Sequence, residues 1–201
     1  MAAPFVHACV WPAPNPPLLP SSAEKVQHIK NNGATLWLAE SLMDQFPDIL
    51  GKEKDYMKQE NMLVAAFPDL YYSVNQYGNG DNTDAHFDST GREVFEQTEG
   101  TVSHFVMAAS TGGTIMGVGK YLKAKKEGVE IVLADPSKSH LAGLMLARED
   151  KVAGEELLDE INAKLKGEGG IQVEGAGKAS LTDIMSEGGE GVLEIVDYAV
   201  R

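Results

Sequence analysis

The sequence of 201 residues contains a single cysteine, Cys9. One cysteine cannot form a disulfide within the chain, so an internal disulfide framework is excluded, which fits a reducing compartment. Basic residues are also few, because 17 Lys and Arg stand against 30 Asp and Glu, a formal net charge of −13. Since an acidic surface repels a phosphate backbone, we expect no nucleic-acid binding. No apolar run reaches membrane-spanning length, so we expect no membrane span.

The N-terminal region lacks two targeting patterns. It has neither the cationic start of a secretory signal nor the Arg-rich amphipathic pattern of a transit peptide. If Met1 is the true start, the expected compartment is the cytosol. If the sequence is a processed form, an organelle is the alternative compartment.

The most informative feature that is present is a glycine-rich turn after an apolar run. Residues 105–109 read FVMAA, and a helix-compatible segment covers residues 115–126. Between them lies the glycine loop, which consists of Ser110, Thr111, Gly112, Gly113 and Thr114. A glycine turn that leads into a helix presents unpaired N–H groups and the positive end of the helix dipole. The pattern therefore predicts a phosphate cradle, to which the Ser and Thr hydroxyls add donors.

Short apolar segments alternate with helical ones along most of the chain, which predicts an α/β fold with a parallel sheet. Strands are predicted at residues 5–11, 34–38, 69–74, 105–109, 129–134, 171–173 and 192–200. Helices are predicted from a cap at Ser21 or Ser22 to Gly33, within 40–67 with a break at Pro47, and at 86–98, 115–126, 141–146 and 155–165. Asp88 and Ser89 are the predicted caps of the 86–98 helix. Connectors are predicted at 12–20, 76–82, 167–170, 174–177 and a hinge containing Gly188, Gly189 and Gly191.

Six pieces of the sequence occur in a defined order: SAEKV (22–26), GA (33–34), NQY (75–77), AHFDSTGREV (85–94), STGGT (110–114) and VEGAG (173–177). In this order they resemble the cysteine synthase and cystathionine β-synthase family, a fold-type II pyridoxal-phosphate group that performs β-replacement on serine derivatives. They match the middle of the family. The resemblance implies a three-layer parallel-sheet α/β architecture, tryptophan synthase β-like and truncated at both ends. Residues 1–74 would be a remnant of the smaller N-terminal domain and residues 75–201 a partial large domain.

The resemblance also implies roles for individual residues. Thr111, Gly112, Gly113 and Thr114 would wrap the phosphate of pyridoxal phosphate, with Ser110 where the family more often has glycine. Gln76 would lie near the substrate carboxylate, although it could equally satisfy loop backbone. Gly175 and Gly177 would border the cofactor ring. His86 has the plainer interpretation of a structural residue at a helix start, and the isolated His7 and His28 predict no metal site.

Three segments that the family uses are absent from the sequence. These are the Ser-x-Lys-x-Arg-like segment with the Schiff-base lysine, the Thr-Ser-Gly-Asn-Thr-like run and the late Ser-Ser-Gly-like segment. Lys120, Lys123, Lys125 and Lys126 follow the start of the helix and would point away from its N-terminus. Lys178 is the lysine expected nearest the ring. We therefore expect no catalytic residue here and pyridoxal phosphate bound without a covalent bond at most.

Three functions remain open at this point. The favoured one is a degenerate pseudoenzyme that serves as a structural or accessory subunit of a larger assembly. The second is a fragment of an active β-replacement enzyme of cysteine biosynthesis, and the third is a non-covalent pyridoxal-phosphate or phosphate-ester binding module. Because open parallel strand edges need neighbours, a homo- or hetero-oligomeric protein partner is expected to cover them.

Overall fold

A computed structural model of the chain describes residues 8–11, 27–28, 30–168, 173, 176–178, 180–186 and 191–201. The chain divides into two compact units, Met1–Val74 and Asn75–Arg201. That these units are remnants of the smaller and larger domains of the resembled family stays a prediction. The predictions for Ser21, Ser22, Gly175, Gly188, Gly189 and residues 12–20 and 171–172 lie outside the described residues.

The first unit contains two parallel strands followed by helices. β1 (Ala8–Trp11) pairs with β2 (Thr35–Leu38), so that Ala8 lies opposite Thr35. The helices are α1 (Ala39–Gln45), α2 (Pro47–Leu50) and α3 (Tyr56–Ala66). Pro47 begins α2, as the predicted break requires, because proline is tolerated at the first position of a helix. The apolar faces of the three helices meet at a buried cluster of Leu42, Leu50 and Leu63.

The predicted strand at residues 69–74 is wrong. Among the described residues this segment has no sheet partner, and it forms a turn followed by irregular chain. Leu70, Tyr72 and Val74 are 66%, 77% and 69% exposed, whereas Tyr71 packs on the cluster of the first unit. The alternation that favoured a strand is present, but a strand also requires a neighbour that accepts its hydrogen bonds.

The second unit is built on a parallel sheet in the order β3-β4-β5, formed by β3 (His104–Met107), β4 (Glu130–Ala134) and β5 (Tyr198–Val200). In the central strand the three consecutive residues Ile131, Val132 and Leu133 are all buried. Successive side chains of a strand point to opposite faces, so both faces of β4 are covered. The predicted three-layer α/β architecture is thereby confirmed.

Helices surround this sheet. A continuous helical segment consists of α4 (Asp81–Ala85), a π-helical stretch (His86–Gly91) and α5 (Arg92–Gln97). The further helices are α6 (Gly113–Lys125), α7 (Leu141–Glu149), α8 (Lys151–Glu168), α9 (Asp183–Ser186) and α10 (Val192–Ile195). A Cβ at Gly117 of α6 would lie 2.7 Å from the Cβ of His86, so this glycine lets α6 approach the π-helical stretch closely.

Several element boundaries differ from the predictions, three of them for reasons that the structure shows. Asp88 and Ser89 cap no helix, because the helix begins at Asp81, whose N–H is accepted by Asn79 Oδ1 at 3.0 Å. Residues 192–195 form α10 instead of a strand, because Gly191 O accepts the N–H groups of Glu194 and Ile195. The turn predicted at 167–170 is wrong at residues 167 and 168, since α8 continues to Glu168, and residues 169–170 lie outside the described residues.

Candidate active site

The glycine loop connects the end of β3 to α6. Gly112 is the N-cap of α6 and adopts a left-handed conformation with φ 94°, which glycine adopts without strain. Within the part of the chain that the structure describes, the N–H groups of Gly112, Gly113 and Thr114 donate no hydrogen bond. The corner therefore carries adjacent unpaired donors at the positive end of a 13-residue helix, an arrangement that attracts anions.

Both glycines of this corner are enclosed by other parts of the second unit. A Cβ at Gly112 would lie 2.6 Å from Met185 Cγ, and a Cβ at Gly113 would overlap the side chain of Asn82. Neither position has room for a side chain. The glycine pattern is therefore required by packing as well as by backbone conformation.

Hydrogen bonds hold the loop from two further segments. Asn82 Nδ2 donates to the carbonyl of Gln76 at 2.9 Å and lies 3.4 Å from Thr111 Oγ1. The Thr182 hydroxyl donates to the carbonyl of Thr111 at 2.6 Å. The first turn of α4 and the residue before α9 thus converge on Thr111.

The last hydroxyl of the loop contacts a histidine. Thr114 Oγ1 lies 3.0 Å from His86 Nε2, and His86 Nδ1 lies 2.9 Å from Thr90 Oγ1. His86 is in the interior of the continuous helical segment, five residues after its start at Asp81. The spacing of four residues between His86 and Thr90 is the sequence signal for their bond, whereas nothing local indicates the contact with Thr114.

Of the other predicted ligand-binding residues, the structure describes Gly177 and Gln76. The backbone N–H of Gly177 donates to Ala109 O at 2.6 Å, which places Gly177 directly beside the loop. Gln76 is exposed on a turn, and its carbonyl accepts the Asn82 amide. Gly175 lies outside the described residues.

Three of the four lysines on α6 and just after it contact other groups. Lys123 Nζ lies 2.7 Å from Asp197 Oδ1, and Lys126 Nζ donates to the carbonyls of Gly100 and Val102. Lys125 Nζ lies 5.5 Å from the centroid of the Tyr121 ring. By contrast, Lys178 follows Gly177 beside the loop, with its Nζ 4.1 Å from the centroid of the Tyr77 ring.

One buried carboxyl group ends β4. Asp135 is 4% exposed, its Oδ2 accepts the N–H of Ala142 at 2.8 Å, and its Oδ1 has no hydrogen-bond partner among the described residues. Burial raises the pKa of Asp135 above its ordinary value of 3.8, and the hydrogen bonds from Ser139 and Ala142 oppose this shift.

Two negative findings concern the part of the chain that the structure describes. It holds no group of three or more His, Cys, Asp or Glu side chains that could bind a metal ion. No helix there has the length and apolar character needed to span a membrane.

Comparison with known proteins identifies the family of the chain. The family model described as pyridoxal-phosphate dependent enzyme matches residues 9–186. The chain belongs to this family. Within this pyridoxal-phosphate family, the chain is 37% identical over 116 residues to the cysteine synthase of Aquifex aeolicus. It is 30% identical over 144 residues to cysteine synthase A of Escherichia coli.

Solved structures of the pyridoxal-phosphate family have a similar fold. The cysteine synthase of Entamoeba histolytica aligns with a TM-score of 0.59 and 28% identity over 89% of this chain. O-acetyl serine sulfhydrylase isoform 3 from the same organism aligns with a TM-score of 0.61 and 29% identity over 91% of this chain.

The alignments cover only part of each relative. The match covers 58% of this chain and 33% of the Aquifex protein, and 71% of this chain and 42% of the Escherichia coli protein. For the two Entamoeba structures the shares are 42% and 44% of those chains. The chain thus spans a third to somewhat under half of the length of these relatives.

The cofactor of the family can be tested against the residues present. The glycine loop has N–H groups without an acceptor among the described residues, and it has hydroxyls; both are donors of the kind that a phosphate group requires. The aldehyde of pyridoxal phosphate requires an amine, and Lys178 is the amine whose backbone lies beside the loop. The phosphate end therefore fits the loop, whereas the Lys178 ammonium is held over an aromatic ring.

Proposed function

We propose that the second unit binds the phosphate group of pyridoxal phosphate without a covalent bond. The glycine corner at the start of α6 carries this proposal, since Gly112, Gly113 and Thr114 present unpaired N–H groups there. The hydroxyls of Ser110 and Thr111 would add donors, and Gly177 would border the ring. Membership of the pyridoxal-phosphate family supports this ligand over other phosphate esters.

Pyridoxal phosphate, when bound, supplies an electron sink for carbanions formed on an amino acid. The residues of this chain would contribute binding and orientation. The N–H groups of the loop would fix the phosphate, and Gln76, exposed on the neighbouring turn, would be available to a substrate carboxylate. Asn82 links that turn to the loop, because its amide reaches both Gln76 O and Thr111 Oγ1.

We further propose that this chain alone does not catalyse β-replacement and acts as an accessory or structural subunit. The engagement of Lys123 with Asp197, and of Lys126 with two carbonyls, supports this proposal. The second candidate is a segment of a longer β-replacement enzyme, in which the same loop would hold the cofactor. The partial coverage of the cysteine synthases favours that candidate equally.

We also propose that a protein partner covers the sheet of the second unit. β3 has one neighbour in the described sheet, and its Val106 is 59% exposed. An edge strand with an exposed apolar side chain favours pairing with another chain. The molar mass of the purified chain in solution, from light scattering after size exclusion, tests whether this partner is a second copy of the chain, and a monomer at micromolar concentration would contradict a homo-oligomer.

Titration of the purified chain with pyridoxal phosphate, followed by absorbance and competed by inorganic phosphate, tests the binding proposal. We expect saturable binding that inorganic phosphate displaces and that Thr111→Val weakens. The matched control is Thr98→Val, whose hydroxyl donates to Val94 O away from the loop. Unchanged affinity in Thr111→Val would count against the loop.

Two further measurements distinguish the candidate functions. After borohydride reduction, intact mass separates a covalent adduct from a reversible complex, and a stoichiometric adduct would contradict the non-covalent proposal. Intact mass of the protein isolated from its own cells tests the longer-enzyme candidate. A mass well above 21.6 kDa would favour that candidate over the accessory subunit.

A further inference from the structure

Among the described residues, the peptide bond between Thr111 and Gly112 has a hydrogen-bond partner on its carbonyl side only. Its carbonyl oxygen accepts the Thr182 hydroxyl at 2.6 Å. In a trans peptide the C=O and N–H groups point in opposite directions. The bond to Thr182 therefore turns the Gly112 N–H away from Thr182.

The orientation of the Thr182 hydroxyl is fixed by its two partners. A carbonyl only accepts, so the single hydroxyl proton points at Thr111 O. The hydroxyl oxygen, Thr182 Oγ1, accepts the N–H of Met185 at 3.3 Å, which leaves the hydroxyl no freedom to rotate. Thr182 is 8% exposed, so water competes little for either bond.

Met185 reinforces the same contact. Its side chain is buried and fills the space beside Gly112, where a Cβ would lie 2.6 Å from Met185 Cγ. The segment that begins at Thr182 thus contacts both the carbonyl and the Cα that flank the Gly112 N–H.

We propose that Thr182 is a positioning residue that orients the Gly112 N–H toward a bound phosphate group. This inference rests on the proposed function of the glycine loop and adds a residue about seventy positions further along the chain. Without the hydroxyl, the 111–112 peptide loses the hydrogen bond that fixes its plane, and the Gly112 N–H loses its fixed direction. The effect falls on phosphate affinity in addition to stability.

The test compares Thr182→Val, Thr182→Ser and the control Thr98→Val in the full chain. Dissociation constants for inorganic phosphate and for pyridoxal phosphate are measured well below each unfolding midpoint. We expect Thr182→Val to weaken binding of both about tenfold, which corresponds to roughly 1.4 kcal/mol. Thr182→Ser restores most of the affinity because it keeps the hydroxyl, and Thr98→Val leaves it unchanged.

A second readout does not need a ligand. The amide chemical shift of Gly112 in phosphate-free protein should move in Thr182→Val and return in Thr182→Ser. If the original chain binds phosphate and Thr182→Val binds it equally well, the role of Thr182 is overturned while the proposed function stands. If the original chain binds no phosphate, both are overturned. A Gly112 amide unaffected by Thr182→Val also overturns the positioning role.

Discussion

His86 Nε2 lies 3.0 Å from the hydroxyl of Thr114, the last residue of the glycine loop. The opposite ring nitrogen, Nδ1, lies 2.9 Å from the hydroxyl of Thr90. Each hydroxyl has one proton to donate, so the tautomer of His86 determines whether the Thr114 proton is available to another acceptor.

A bound phosphate group is expected to select one tautomer of neutral His86. The Thr114 hydroxyl can donate to phosphate only if it accepts from Nε2–H, and then Nδ1 accepts from Thr90. The ¹⁵N shifts of His86 in phosphate-saturated protein measure this directly. A neutral ring with its proton on Nδ1 would contradict the prediction. His86→Leu, which removes the donor, should weaken phosphate binding several-fold.

Gly113→Ala should abolish phosphate binding and lower stability, because the new methyl group overlaps the Asn82 side chain. The cost of such overpacking is about 1–3 kcal/mol. Gly80→Ala is the matched control, since a Cβ there meets no atom within 4 Å. Phosphate titration and urea unfolding measure the two effects. Equal behaviour of the two variants would show that the enclosure of Gly113 has no consequence.

Asp135→Asn should change how stability depends on pH. Burial raises the pKa of Asp135 in the folded chain, so the folded state holds its proton more tightly than the unfolded state. Stability from this group is therefore fully present below its unfolded pKa and is lost as pH rises toward the folded pKa. Asp135→Asn has no carboxyl group at this position, so its free energy of unfolding does not fall in this way as the pH rises.

The expected result is that the free energy of unfolding of Asp135→Asn gains on that of the original chain as the pH rises from the ordinary Asp pKa of 3.8 toward the raised pKa of the folded chain. Denaturant unfolding over a series of pH values measures it. The exposed Asp159 provides the control variant Asp159→Asn. A difference that is constant with pH, or that shrinks as pH rises, would refute the prediction.

Asp197→Ala should destabilise the second unit more than Lys123→Met does. Asp197 Oδ2 accepts the N–H of Ile131 at 2.7 Å, and its Oδ1 pairs with Lys123 at 2.7 Å. Loss of the carboxylate leaves the Ile131 N–H unpaired at a cost of about 1–3 kcal/mol. Loss of the partly exposed ammonium costs about 0–1 kcal/mol. Denaturant midpoints give both values, and the reverse order would contradict this assignment.

The glycine loop and its place between a strand and a helix could be predicted from the sequence because every signal involved is local. An apolar run, two glycines and a helix-compatible segment follow one another within about 20 residues. The parallel sheet and its covered central strand could also be predicted from a local pattern, since residues 131–134 of β4 are a continuous apolar run.

What could not be predicted depends on contacts between distant segments. Residues 69–74 have a strand-like pattern without a neighbouring strand to pair with. The bond from Thr182 to Thr111 spans 71 residues and that from His86 to Thr114 spans 28, and no periodicity encodes either. These bonds are also the ones that hold the loop in shape.

The central position of β4 has a consequence for synthesis. The bond between Ile131 and Asp197 spans 66 residues, and the pairing of β4 with β5 is equally distant in sequence. Because the ribosome delivers the chain from its N-terminus, β4 with its buried Ile131, Val132 and Leu133 emerges long before β5, the last strand that pairs with it. Until residue 200 has left the exit tunnel, one side of this apolar strand is without its pairing partner. A chaperone that binds nascent apolar segments therefore has its target there.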